Sequence, residues 1–151
     1  MKYQHEILIN LPREELIKKF DNPDNMKHWQ RGFISFNHES GEPGKPGAKS
    51  KLKYKMGKRE IEMTETIKKR NLPEEFHGTY EAKGVFNLQE NYFKIIDDNT
   101  TKWVSVSEFK FTTFTMKIMG ALMPGAFKKQ SYKYMTDFKN FAEKGISVAD
   151  A

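Results

Sequence analysis

A glutamate set among apolar strand residues is where chemistry would start in this sequence. Between Arg59 and Lys69, Ile61, Met63 and Ile67 fall in one alternating phase, and Glu65 shares it. A side chain in that phase faces whatever the apolar residues face. A carboxylate held against an apolar cavity has its pKa raised into the range useful for general acid-base work. Tyr54 and Tyr80 occupy comparable inward phases and could orient a ligand carbonyl or hydroxyl. The bland alternative leaves Glu65 near a sheet end, in water or paired with a lysine. Glu108 takes the phase of Val104 and Val106, opposite the bulkier Trp103, Phe109 and Phe111, and is expected to point outward.

Other chemistries find less support. His5, His28, His38 and His77 are scattered over separate segments with no i,i+4 pair, whereas a metal needs at least three convergent ligands, so no metal is expected. His5 shares the phase of Tyr3, Ile7 and Ile9 and either reaches the interior or caps a sheet edge. There is no cysteine, which removes disulfides and thiolate catalysis. The chain lacks a G-x-S-x-G elbow, a P-loop and a dinucleotide-binding glycine pattern, so no cofactor is expected either.

At 151 residues the chain fits one domain, 1–151, and its 12 Phe and 6 Tyr supply large rings for a core. The net charge of +6 mixes 26 basic with 20 acidic residues and reads mainly as solubility. Lys51, Lys53 and Lys55, with Lys58 and Arg59 nearby, make a basic strand face, yet Tyr54 and Met56 lie on the opposite face. Nucleic-acid binding would want aromatics on the same surface, so that reading is disfavoured, while transient contact with anionic lipid headgroups stays open. The opening Met1-Lys2-Tyr3-Gln4-His5-Glu6 carries charge where a signal peptide needs an apolar run. No stretch approaches the roughly 20 apolar residues that span a bilayer, and a cytoplasmic location is expected.

These candidates must be held by strands. Tyr3 to Ile9 reads as the first, followed by two short helices, Arg13 to Phe20 and Asp24 to about Trp29. Strands follow at Gly32–Glu39, Lys51–Met56, Arg59–Lys69, Phe76–Lys83, Val85–Ile96 and Lys102–Phe111. The inward phase of Val85–Ile96 is ambiguous, because Phe86, Leu88, Tyr92 and Ile96 oppose Val85, Phe93 and Ile95. Short connections favour an antiparallel meander, and about seven twisted strands tend to curl.

Thr115 to Glu143 then reads as one long amphipathic helix broken only at Met123-Pro124-Gly125. Its stripe of Met116, Met119, Leu122, Met123, Phe127, Tyr134, Met135, Phe138 and Phe141 must bury against the sheet. Methionine fills core gaps and also lines promiscuous ligand surfaces, so Met116, Met119 and Met123 mark either ordinary packing or a cavity entrance that Pro124 and Gly125 let move. The resulting fold class is α+β, a helix-grip: a curved seven-stranded antiparallel sheet wrapped on a long C-terminal helix, with two short helices after the first strand.

That order, with Ile7-Leu8-Ile9-Asn10-Leu11-Pro12 at its start, Lys27-His28-Trp29, the Gly44-Lys45-Pro46-Gly47 hairpin and Met123-Pro124-Gly125-Ala126-Phe127, resembles the START-like superfamily. More narrowly it resembles the SRPBCC group that includes polyketide cyclase/dehydrase-type proteins, over residues 2 to 145. The resemblance implies a deep, mostly apolar cavity for a lipid, sterol, polyketide or other hydrophobic ligand, and carries no universal catalytic motif.

The expected activity is therefore binding or transport of a small hydrophobic or lipid-like ligand. Expected lining residues are Tyr54, Met56, Met63, Tyr80, Trp103, Phe109, Met116, Met119, Met123, Phe127 and Tyr134. An enzyme of cyclase, dehydratase or isomerase type, with Glu65 as base and a tyrosine as donor, is the alternative. A protein-interaction module is a third reading, and the oligomeric state is left open.

Overall fold

Apolar residues at every second position oblige extended segments to pair, and seven segments of this chain do so. In the computed structural model, which describes residues 1–150, the strands are β1 (Lys2–Ile9), β2 (Phe33–Ser40), β3 (Lys49–Met56), β4 (Arg59–Asn71), β5 (Glu75–Ala82), β6 (Val85–Asp97) and β7 (Thr100–Phe111). They form one curved antiparallel sheet in the order β1-β7-β6-β5-β4-β3-β2, a meander of six with the first strand added beside the last.

Four α-helices complete it: α1 (Arg13–Phe20), α2 (Met26–Trp29), α3 (Phe114–Leu122) and α4 (Pro124–Lys144). Pro12 precedes α1, with Glu14 and Glu15 in its first turn and Lys18 and Lys19 in its last, charges that suit the helix dipole. Thr113 caps α3 by accepting the Met116 N–H at 3.3 Å. Pro124 opens α4, and Gly145, at φ +68°, closes it in the left-handed conformation with its N–H on the Phe141 carbonyl. A break at Met123-Pro124-Gly125 is thus a junction between two helices, with Met123 at φ −130° and ψ 51°.

The sheet's register places Ile7 beside Trp103 and Trp103 beside Phe93. α1 and α4 cover this end, and Leu16, Trp29, Met135, Phe138 and Ala142 join those three residues in the main core. Phe20 lies edge-on to Phe93, Trp103 and Phe138 with centroids 5.0, 5.5 and 5.7 Å away. A smaller cluster of Met26, Leu52 and Tyr54, with Phe33, Phe36 and Met63 against it, packs under β2 and β3.

α3 departs from expectation. Its stripe was to lie under the sheet, yet Leu122 is 76% and Met123 53% exposed. Only one side of the helix reaches β7: Gly120 lies flat on the Phe111 ring, where an added Cβ would sit 2.4 Å from a ring carbon. The turn at Met123 then redirects the chain, so of the two C-terminal helices it is α4 that packs along the sheet. Among the described residues no helix is long and apolar enough to cross a membrane.

Candidate functional site

Register decides which side chains share the concave face. Ser50 opposes Glu65, Glu65 opposes Tyr80, and Tyr80 opposes Asn87, which in turn opposes Phe109. These residues therefore form one row across β3 to β7 on the face that α4 covers. The row runs between the aromatic core at one end and the turns Gly57-Lys58 and Lys83-Gly84 at the other.

Glu65 and Tyr80 meet in that row, the Tyr80 hydroxyl donating to Glu65 Oε2 at 2.9 Å. Burial pushes the Glu65 carboxyl above its ordinary value, the tyrosine hydrogen bond works against that rise, and the charge of Asp21 adds to it. Burial also pushes the Tyr80 phenol well up, helped by the adjacent Glu65 charge, so Tyr80 is a neutral donor. Tyr54 follows the same rule through burial and its neighbours Tyr134 and Glu65, and its hydroxyl donates to Gln30 Oε1 at 2.5 Å. Tyr134, reaching in from α4, has a pKa raised by burial. Neither Glu65 nor Tyr80 is fully closed off, since both remain half-buried.

Gly78, two residues before Tyr80 on the same face, leaves room beside this pair. A Cβ there would touch the Tyr80 hydroxyl at 3.4 Å. The remaining wall is polar: Asn87, Asn91, Ser105 and Ser107 are buried and Gln89 half-buried, all in the inward phase of β6 and β7. Some spend their groups on each other, as Gln89 Nε2 donates to Asn87 Oδ1 at 2.8 Å and Trp103 Nε1 to Asn91 Oδ1 at 3.0 Å. The Trp29 indole N–H is buried with no partner among the described residues, a donor the chain does not satisfy.

The sequence candidates divide. Tyr54, Met63, Tyr80, Phe109 and Tyr134 share the concave side with Glu65. Phe127 packs between Phe109 and Phe111 at centroid distances of 5.3 and 5.2 Å and closes the β7 side. Met116 touches the Gly84 turn. Trp103, expected to line the cavity, is 4% exposed and filled in by the rings of the main core, because its register partners Phe93 and Ile7 put it beneath α1 and α4. Met56, Met119 and Met123 are 37%, 41% and 53% exposed at the far end and do not join Glu65. His5 caps an edge: its Nε2 lies 2.9 Å from the Lys128 carbonyl, against the Tyr3 and Tyr132 rings.

Sequence reasoning passed over Trp29, Gln30, Asn87, Gln89, Asn91, Ser105 and Ser107. The last five were within reach, since the phase of Phe93 on β6 and of Trp103 and Phe109 on β7 contains them. A mostly apolar wall was expected; the observed one is studded with hydrogen-bonding groups. Instead of the deep cavity that the resemblance implies, the two best-formed hollows among the described residues are open surface grooves, of about 430 and 410 Å³, that lie away from this row. The first is lined by His5, Gly125, Lys128, Lys129 and Tyr132, the second by Gly44, Lys45, Pro46, Arg70 and Leu72. Both are shallow depressions without Glu65 or Tyr80, whose desolvation and convergence make their row the better candidate for chemistry.

No family model matches the sequence, and no curated protein matches it. Among solved structures, the Zhui aromatase/cyclase from Streptomyces sp. R1128 is similar with a TM-score of 0.76 at 10% identity, over 99% of this chain and 97% of that one. A conserved protein from Geobacillus kaustophilus gives 0.74 at 14% identity over 95% and 96%. Ara h 8.0201 gives 0.69 at 12% identity over 94% and 97%. These likenesses show the fold alone, a helix-grip in which a curved antiparallel sheet packs on a long C-terminal helix.

Proposed function

We propose that the whole chain acts as one domain that binds a small hydrophobic or amphipathic ligand on the concave face, between the Glu65 row and α4. The observation that carries this reading is the Glu65–Tyr80 pair, a desolvated carboxyl and a neutral phenol joined at 2.9 Å on a wall of further polar groups. A purely structural interior would be cheaper with apolar residues, because each buried polar group must be matched. Most of these groups are matched within the chain, and the buried Trp29 indole N–H, which is not, is a donor that a ligand bearing hydroxyl or carbonyl oxygens can take up. The apolar surface of Met63, Phe109 and Phe127 suits the ligand's carbon skeleton.

A second reading is favoured by the raised pKa of Glu65 and by the fold shared with an aromatase/cyclase. A carboxylate of raised pKa can take a proton from a carbon flanked by carbonyls, with Tyr80 donating to the developing enolate oxygen. The carbanion so formed adds to a second carbonyl carbon of the same molecule, closing a ring, and the alkoxide regains the proton from Glu65.

Native mass spectrometry on protein purified from its own host tests binding, with retained mass expected. Apo protein together with no affinity for a panel of lipids and polyketide-like aromatics would overturn the proposal. Glu65→Gln separates the two readings. A binding protein keeps its ligand within a few-fold, whereas an acid-base enzyme keeps binding and loses turnover by about 10²–10⁴.

A further inference from the structure

The end of the molecule beyond the Glu65 row carries an apolar surface that the ligand site does not use. α3 presents Phe114, Ile118 and Leu122 at successive i,i+4 positions, 79%, 41% and 76% exposed, with Met119 and Met123 alongside at 41% and 53%. Since Gly120 holds the opposite side of α3 on Phe111, these side chains project away from the sheet as a ridge, and neither of the two grooves described above is lined by them. Isolated exposed apolar residues are ordinary, but a contiguous set on one short helix marks a contact surface.

Charge says what that surface fits. From Phe109 to Thr136 the chain holds Lys110, Lys117, Lys128, Lys129 and Lys133 and not one Asp or Glu. All five are exposed, and none makes an ion pair among the described residues. The two hairpin turns at the same end bring Lys58 and Arg59 beside Glu60 and Lys83 beside Glu81, so the surplus of positive charge lies on α3 and the first half of α4. The basic face expected on β3 is partly neutralised, with Lys51 within 4.0 Å of Glu39 and Glu62 and Lys53 3.9 Å from Glu62.

From these observations we propose that the α3 end docks on an anionic lipid bilayer. Phe114, Ile118 and Leu122 enter the boundary between headgroups and acyl chains, and the surrounding lysines lie against lipid phosphates and carboxylates. A second copy of this chain is a poor occupant, because pairing two such ends sets lysine against lysine. A ridge likewise gives a peptide no groove to enter. The docked end carries the Gly57-Lys58 and Lys83-Gly84 turns and lies on the side of the Glu65 row away from the aromatic core.

Flotation of the purified chain with phosphatidylcholine vesicles, with and without phosphatidylserine, tests docking independently of any ligand. Flotation with the phosphatidylserine vesicles alone, lost at high salt, is expected. The Phe114→Ser/Leu122→Ser double variant and, separately, Lys117→Glu/Lys129→Glu should each lower partitioning about tenfold or more, with circular dichroism and thermal melting unchanged because every altered side chain is exposed. No flotation with anionic vesicles, equal flotation with neutral ones, or variants that float like the parent would overturn the proposal. So would sedimentation showing a dimer that the apolar double variant abolishes.

Discussion

Glu65 holds its proton more tightly in the fold than in the unfolded chain, because burial outweighs the hydrogen bond from Tyr80. A carboxyl of that kind stabilises the fold at acid pH, and the contribution is lost as pH rises through its folded value. Glutamine keeps the shape and still accepts from Tyr80 but cannot ionise. Glu65→Gln is therefore expected to melt above the wild type at neutral pH, the gap narrowing as pH falls through the raised folded value and closed below about 4.3, the value of an unfolded glutamate. Calorimetry across that range decides it, and coincident melting at every pH would place the carboxylate in water. That Glu65 faces inward could be read from its company of Ile61, Met63 and Ile67, since side-chain period alone fixes the face. That Tyr80 is its partner could not, because cross-strand neighbours depend on a register set by turn geometry and by the bulge between Ile67 and Lys69.

Among the elements, α4 does the gripping through Met135, Phe138 and Ala142, and the aromatic cage around Phe138 has no slack. Phe138 is fully buried, and its ring meets Phe20, Trp29 and Trp103 at 5.7, 5.1 and 5.5 Å. Phe138→Ala is expected to cost about 3–5 kcal/mol, read as a lower urea midpoint with an unchanged slope. A loss below about 1 kcal/mol would mean that the cage collapses around the gap. The strands and helices were legible because alternation, Pro12, Pro124 and the Asp97-Asp98-Asn99 turn act locally. The side of α3 facing solvent was not. Nine residues with one charge read as buried on any apolar scale, and only Gly120 on Phe111 shows how small a side is covered.

At the scale of the molecule the sheet runs from a closed end of interlocked rings, through a polar middle, to an end where apolar side chains meet solvent. Such a gradient is also one of local stability, because opening free energy follows the apolar packing that opening disrupts. Amides of Ile7 and Trp103, on paired strands beneath α1 and α4, and that of Phe93, which donates to the Glu74 carbonyl at 2.9 Å, are expected to exchange with solvent only on global unfolding. Those of α3 have Phe111 as their main support and should exchange through local opening with little denaturant dependence. Native-state hydrogen exchange at low urea checks this, and protection of α3 equal to that of β7 would overturn it. The consequence is functional. For the ligand site proposed above, a stable closed end would hold Glu65, Tyr80 and the polar wall in place, while separate opening of the α3 end would admit a ligand without unfolding the sheet.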